Sequence, residues 1–414
     1  MLASSNGHVE VVRELLSAGA DFSVQKNDGW TALMLSSQNG HVEIVRELLS
    51  VGADFSVQEN DGWTALMLAS QNGHLEVVRE LLSAGADFSI QENDGWTALM
   101  LASKNGHIEV VRELLSAGSD FTVQNNNGFT ALMLASQNGH IEVVSELLCA
   151  GADFSVQTNN GFTALLLASQ NGHLVVVREL LSAGADITIK ANNGWTALML
   201  ASSKGHIEVV RELLSAGADF SIQENDGFTA LMLASQNGHV EVVRELLSVG
   251  ADFSVQANAG GTALMLASSN GHVEIVRELL SVGADFSVQA NDGWTALTLA
   301  SETGHVEVVR ELLSVGADAN IISKRFINAL SLAVINSQLD VICVLLNDSN
   351  INDGLKQDGL FISLLQCNEQ IEQIFISNGV KLNLCLRFVA RFGRFINKIK
   401  NKFSKKAKQK TSIV

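Results

Sequence analysis

The sequence predicts an all-α solenoid of paired antiparallel helices with β-hairpin-like fingers, and three observations carry that reading. Ten histidines, His8, His41, His74, His107, His140, His173, His206, His239, His272 and His305, stand 33 residues apart, with none outside the series. The stretch from Asn60 to Glu92 begins again almost unchanged at Asn93. Within it, two short apolar patterns of helical period are each closed by glycine, and a unit this small must stack on its neighbours to bury its apolar faces. Length therefore does not count domains, and the 414 residues read as one continuous array.

Each element of the unit has a local cause. Thr64 precedes Ala65-Leu66-Met67-Leu68-Ala69-Ser70-Gln71-Asn72, and its hydroxyl is placed to cap the first turn of a short helix. Asn72-Gly73 ends that helix, because glycine tolerates the left-handed conformation a helix C-terminus commonly needs. A second helix runs from Leu75 to Ser83, with Glu76, Arg79, Glu80 and Ser83 on a polar stripe and Leu75, Val78, Leu81 and Leu82 facing inward. The first helix is apolar nearly all round and is therefore inner; the second is outer and half solvated. Gly85 stops the second helix. Ala86 to Gln91 then reads as an extended, alternating piece leading to the turn Asn93-Asp94-Gly95, which completes a projecting finger.

The unit resembles the ankyrin repeat. That family's pattern of G-x-T-P-L-H, A-A-x-x-G-H and L-L-x-x-G-A-D is visible as Gly62-Trp63-Thr64-Ala65-Leu66-Met67, Ala69-Ser70-Gln71-Asn72-Gly73-His74 and Leu81-Leu82-Ser83-Ala84-Gly85-Ala86-Asp87. Where the family has Pro-Leu-His, this chain has Ala-Leu-Met in most copies, Ala-Leu-Leu at Ala164 to Leu166 and Ala-Leu-Thr at Ala296 to Thr298, and it holds no proline. Alanine keeps the helix start, while the family's threonine–histidine side-chain bond is lost. The resemblance implies a non-catalytic protein-binding scaffold whose partner contacts come mainly from the finger tips and the inner-helix surface.

Taken in order, residues 1–25 are a truncated first repeat, 26–322 nine full repeats, 323–383 two degenerate repeats expected to cap the array, and 384–414 a basic tail. Met1 aligns with Met34, so the chain begins halfway through an inner helix with no finger before it; residues 1–17 are expected to fray, and the start reads as an internal repeat methionine. In the last unit, Asp358-Gly359 and Asn378-Gly379 read as remnants of turns.

Composition excludes several classes. Although 47% of residues are hydrophobic, no apolar run reaches the ~18 residues that would mark a membrane-spanning helix. Met1 is not followed by a basic and then a long apolar segment, so no signal peptide is read. Cys149, Cys343, Cys367 and Cys385 show neither paired nor ligand spacing, which suits a reducing intracellular compartment, cytoplasmic first and nuclear or membrane-surface second. The chain carries −17; residues 384–414 hold ten basic and no acidic side chains, leaving −27 for residues 1–383. No nucleic-acid partner is expected for so acidic an array.

Comparing the copies with one another locates the candidate site. The inner core letters barely change, whereas the finger position varies through Lys26, Glu59, Glu92, Asn125, Thr158, Ala191, Glu224, Ala257 and Ala290. So do the residues two places on, such as Asp61, Asn127, Asn160 and Ala259, and the inner-helix ends, such as Lys104-Asn105 and Glu302-Thr303. At the finger base runs an aromatic ladder, Trp30, Trp63, Trp96, Phe129, Phe162, Trp195, Phe228 and Trp294, broken only at Gly261. Aromatic residues bury much area with few torsions and are favoured interface anchors. These rings, with Glu59, Glu92 and Glu224, are the candidate partner-binding residues, and Gly261 is expected to mark a gap in the surface. The alternative readings are ring packing on the adjacent finger and drift at solvated sites.

Other features read as structural. Metal ligands must converge to ~2 Å from one ion, which histidines on rungs about 10 Å apart cannot do. The imidazoles are expected instead to fix each inter-helix turn against the next repeat. The Glu-Arg-Glu stripe, interrupted at Ser145 and Val175, reads as a solvated outer face. No nucleophile–base set or phosphate loop is present; neither catalysis nor a cofactor is expected, and the chain is expected to be monomeric.

In the tail, Phe388, Phe392, Phe395, Ile396, Ile399 and Phe403 recur at helical spacing, with Arg387, Arg391, Arg394, Lys398 and Lys402 elsewhere on the wheel. Such a basic amphipathic helix suits an anionic membrane surface, a groove such as calmodulin's, or a cap on the last repeat. Cys385 is an acylation candidate. Lys405, Lys406 and Lys408 resemble a nuclear localisation signal, and Ser412-Ile413-Val414 resembles a PDZ-domain ligand. The leading function is thus a protein-binding scaffold, with a membrane-surface adaptor and a nuclear regulator as alternatives.

Overall fold

Threonine starts the inner helices as the sequence predicts. At every 33-residue step from Thr31 to Thr295 the hydroxyl accepts the backbone N–H three residues on, at 3.1–3.3 Å. This satisfies one of the orphan donors of the first turn. Asn328 takes over at 2.8 Å from Ser331 N–H. In the one Ala-Leu-Thr copy, Thr298 Oγ1 also accepts the Thr295 backbone N–H at 2.7 Å, closing a reciprocal pair that the methionine copies cannot form.

The computed structural model describes residues 1–324, 327–366 and 368–381, and among these there is no strand. Contacts group the chain into two compact units, Met1–Asp219 and the chain from Phe220 onward, where one continuous array was expected. In a solenoid each repeat touches only its neighbours, so distant repeats share nothing that would hold the array as one contact cluster. Within the first unit the inner helices Leu2–Ser5, Ala32–Gln38, Ala65–Gln71, Ala98–Asn105, Ala131–Asn138, Ala164–Asn171 and Ala197–Lys204 form one layer. Their outer partners form the second layer, for example Leu75–Ser83 and Ile108–Ser116. The second unit repeats the plan from Ala230–Asn237 to Glu369–Ser377. All of Ala98 to Ser103 is buried, as inner position requires. In the outer helix Leu75–Ser83, Val77, Val78 and Leu81 are buried; Val77 was not expected among them, and Leu75 and Leu82 are only half-buried. At the N-terminus, Val9–Ser17 buries Val12 alone, against Ile44, Val45 and Leu48 in Val42–Ser50.

The histidine ladder joins repeats, in the direction opposite to the one expected. His107 Nε2 lies 3.0 Å from Gln71 O, and the same contact recurs from His41, His74, His140, His173, His206, His272 and His305 to the preceding repeat at 2.9–3.1 Å. A carbonyl only accepts, so Nε2 carries the hydrogen. The ring rests on the glycine that ends the preceding inner helix, as His107 does on Gly73 and His140 on Gly106, so a Cβ there would displace the imidazole. In the degenerate repeat Gln338 Nε2 does the same work, donating to Glu302 O at 3.2 Å. Beside it Ser337 holds φ 58° where other copies have glycine. Ser337→Gly is expected to stabilise the chain by about 1 kcal/mol, read as a rise in the urea midpoint; an unchanged or lowered midpoint would count against the strain.

The outer stripe also works between repeats rather than within one helix. Arg13, Arg46, Arg79, Arg112 and Arg178 in the first unit, and Arg244 and Arg277 in the second, reach the glutamate 34 residues on at 2.6–2.8 Å. At Ser145 the pair becomes a hydroxyl donating to Glu179 Oε1 at 3.2 Å. The guanidiniums stand mostly in solvent, so the row contributes little to stability.

The fingers differ most from expectation. The extended piece is instead a tight turn: Asp87 Oδ1 accepts both Ser89 N–H at 2.8 Å and Ser89 Oγ–H at 2.6 Å. The pattern repeats at Asp21, Asp54, Asp120, Asp153, Asp186, Asp252 and Asp285. Bonds from the side-chain hydroxyl, and then the backbone N–H, two residues on hold these carboxyls below the ordinary value. A lowered folded value means stability present above the unfolded value, about pH 4, and lost as pH falls through the folded one. The acid limb of a pH–stability curve is therefore expected to become shallower when Asp54, Asp87, Asp120 and Asp153 are changed to asparagine; an unchanged limb would contradict it.

Successive fingers are zipped by asparagine, which the sequence reading passed over as a turn residue. Asn126 donates its backbone N–H to Asp94 O at 2.9 Å and its side-chain amide to Asn93 O at 3.1 Å. Asn93, Asn159 and Asn192 in the first unit, and Asn258 and Asn291 in the second, repeat both bonds. In the last repeat Asp358-Gly359 is not a turn but lies inside the helix Asp353–Gln366. A Cβ on Gly359 would stand 2.8 Å from Phe375 Cζ, so glycine there admits the buried ring. Among the described residues no helix is long and apolar enough to cross a membrane.

Candidate partner-binding groove

Between the finger of Trp63 and that of Trp96, on the inner-helix side, lies a groove. Its walls are the aromatic rings, its floor the inner helices, and its rim the residue at the finger tip. Trp30, Trp63, Trp96, Phe129, Phe162, Trp195, Phe228 and Trp294 are all half-buried. In the first unit the groove between Trp63 and Trp96 encloses about 340 Å³, with Gln71 and Leu101 on the floor and Asp61 and Asp94 at the rim. Lys104, in the last turn of its inner helix, holds Nζ 4.9 Å from the centre of the Trp96 ring, a cation–π contact at the edge of the groove.

Glu59, Glu92 and Glu224, the acids among the candidate partner contacts, are bonded within their own fingers, although Glu92 still lines this groove. They are only 7–8% exposed, with the carboxylate turned back into the finger. Glu92 Oε1 accepts Asp94 N–H at 3.0 Å and Trp96 N–H at 2.8 Å, and Glu59 and Glu224 make the same two bonds. A charge buried this way needs donors, and the turn supplies two. The acid at the rim comes from the exposed residues two places on: Asp61, Asp94, Asp226 and Asp292.

The finger position therefore does not vary freely. Asn125 and Thr158 replace glutamate with another acceptor for the aromatic residue's N–H, at 2.9 and 3.0 Å. Where the position holds lysine or alanine, the residue two places on takes the bond. Asp28 receives Trp30 N–H at 3.3 Å, Asn193 receives Trp195 N–H at 3.2 Å and Asp292 receives Trp294 N–H at 3.2 Å. The two variable positions compensate for each other, a coupling that could have been read from the copies side by side. Only the copy with Ala257 and Ala259 lacks both acceptors, and it is the copy whose ring is Gly261.

Among the described residues no group of three or more histidine, cysteine, aspartate or glutamate side chains could hold a metal ion. The tail candidates Cys385, Phe388, Arg391, Phe392, Phe395, Lys398, Ile399, Phe403, Lys405, Lys406 and Lys408, and Ser412 to Val414, lie outside the described residues.

Tandem helix pairs, joined by inter-repeat ladders and edged by a row of half-exposed rings, define a helical-repeat binding module. A family model described as ankyrin repeats in three copies matches overlapping windows from residue 1 to residue 358, and the chain belongs to the ankyrin-repeat family. No curated protein matches the chain. Ankyrin repeats are generally protein–protein interaction modules and typically non-catalytic.

Proposed function

We propose that this chain is a non-catalytic scaffold that binds a protein partner along the grooves between successive fingers, with the half-buried rings as anchors and the rim aspartates selecting a basic partner surface. The observation that supports this reading most is the register of the rings. They recur at one place in eight of the nine full repeats, half-exposed, and between Trp63 and Trp96 they stand above a groove large enough for a side chain. The outer face offers less, because its arginines are already engaged with glutamates of the next repeat.

The reading is tested by comparing two full-length variants that both fold by circular dichroism. One carries Trp63→Ala, Trp96→Ala and Phe129→Ala; the other carries Arg46→Ser, Arg79→Ser and Arg112→Ser. Quantitative affinity purification should show the groove variant losing more than about tenfold of the partners that the outer-face variant retains, as expected when aromatic anchors are truncated. Equal retention by both, or loss only from the outer-face variant, would refute it.

A further inference from the structure

We propose that the opening at Gly261 is a binding pocket for an aromatic side chain of a protein partner that carries a cationic group beside it. The proposal rests on the groove being the partner-facing surface and goes further, by naming one site and its chemistry. The expectation that Gly261 marks a gap is sharpened: what it leaves is a cavity of about 450 Å³, larger than the groove between Trp63 and Trp96.

Nothing in the backbone asks for glycine there. Unlike Gly260 beside it, which holds φ 81° and packs against Asn291, Gly261 has no left-handed φ, and a Cβ built on it meets nothing within 4 Å. Eight other copies place a ring at this register. Its loss here coincides with the loss of both turn acceptors at Ala257 and Ala259 and with alanine at 290, so Ala259 and Ala290 line the cavity, beside Ser269, Asn291 and Asp292, where Asp61 and Glu92 line the groove between Trp63 and Trp96. The floor is correspondingly uncovered. Leu266 and Leu299 are half-buried, whereas the matching Leu68 and Leu101 are 3% and 4% exposed. Trp294 forms the far wall, and its Nε1–H has no acceptor, so packing alone places the ring. The opening is lined largely by the apolar Met265, Leu266, Leu299 and Trp294, at the register of the ring absent from this copy.

The charge at the rim selects what accompanies that ring. In the copy around Trp96 the last turn of the inner helix carries Lys104, whose ammonium lies over the indole. The same position beside Trp294 is Glu302, next to Asp292. Burial, and then the Asp292 charge, push the Glu302 carboxyl above its ordinary range. The copy around Trp96 sets Asp94 beside Lys104, whereas this copy sets Asp292 beside Glu302, so a ligand cation relieves the repulsion of the two carboxylates and can sit over Trp294 as Lys104 sits over Trp96.

The test uses full-length chain with labelled methionine and leucine methyl groups, titrated with tryptamine, which joins an indole to an ammonium, and with indole-3-propionate, which reverses the charge. Tryptamine is expected to shift Met265, Leu266 and Leu299 saturably and to bind about tenfold more tightly than indole-3-propionate. Gly261→Trp should abolish both sets of shifts by supplying the ring from within. Asp292→Asn with Glu302→Gln, which leaves the cavity open, should remove the preference for tryptamine. Equal binding of the two probes, shifts that survive Gly261→Trp, or a preference unchanged in the charge variant would each overturn the proposal. So would tryptamine binding seen only after Phe388, Phe392, Phe395 and Phe403 are replaced by serine, since the occupant would then be the chain's own tail. Failure here with partner loss still caused by Trp63→Ala, Trp96→Ala and Phe129→Ala would remove this pocket and leave the groove reading standing.

Discussion

Gly106→Ala is expected to cost about 2–4 kcal/mol and Gly118→Ala only about 1–2, although both glycines hold left-handed backbone, at φ 77° and 97°. The shared part is the strain of placing a Cβ at positive φ. The difference is a contact. At Gly118 the nearest atom to such a Cβ is Phe88 Cζ at 3.8 Å, an ordinary approach. At Gly106 it is His140 Nδ1 at 2.5 Å, so the imidazole must move and give up its 2.9 Å bond to Lys104 O. That bond and the packing around it are worth about 1–2 kcal/mol. Long repeat arrays can unfold in parts, so the measurement is amide exchange across residues 98–149 together with the urea transition. Gly106→Ala should release protection on both sides of the joint, and Gly118→Ala mainly in its own turn. Equal losses would mean that the histidine ladder does not couple the repeats.

The second large effect runs the other way. Ser37, Ser70, Ser103, Ser136, Ser169 and Ser202 in the first unit are completely buried in the inner helices, and their hydroxyls have no hydrogen-bond partner. Ser301 in the second unit shows the alternative, donating to Leu297 O at 2.7 Å. A buried unsatisfied hydroxyl costs about 1–3 kcal/mol, and alanine at the same site removes it while raising helix propensity. Set against a small loss of packing, each Ser→Ala is expected to gain about 0.5–1 kcal/mol. The rungs lie about 10 Å apart, so the gains should nearly add. The sixfold variant should therefore gain several kcal/mol and melt on the order of 10 °C higher. A sixfold variant that melts lower would show that the hydroxyls are satisfied in solution.

What was legible in the sequence followed from period and local chemistry. Thr64 before an apolar run, Asn72-Gly73 after it and the polar stripe from Glu76 gave the helix pair and its inner and outer order. What was not legible depends on contacts 33 to 36 residues away. A single copy cannot show that Asn93 bonds back to Asn60, that His107 reaches back to Gln71, or that Arg79 reaches forward to Glu113. The same limit hid the inward bonding of Glu59, Glu92 and Glu224, because their two backbone donors appear only once the turn is closed. The extended reading of Ala86 to Gln91 failed for a local reason: Asp87 with Ser89 is a turn signal that alternation of apolar residues concealed. The rings stand out in the sequence as a ladder, but their pairing with the variable acceptors, and the cavity left where acceptor and ring are lost together, required the three-dimensional register.

The claim that the ring-lined groove is the partner-binding face is tested most directly by hydroxyl-radical footprinting of the full-length chain alone and bound to partners purified with it. Trp63, Trp96, Phe129 and Phe162 should lose reactivity on binding, while the outer-face leucines Leu82 and Leu115 keep theirs. Protection of the outer face with unchanged oxidation of the four rings would contradict the account.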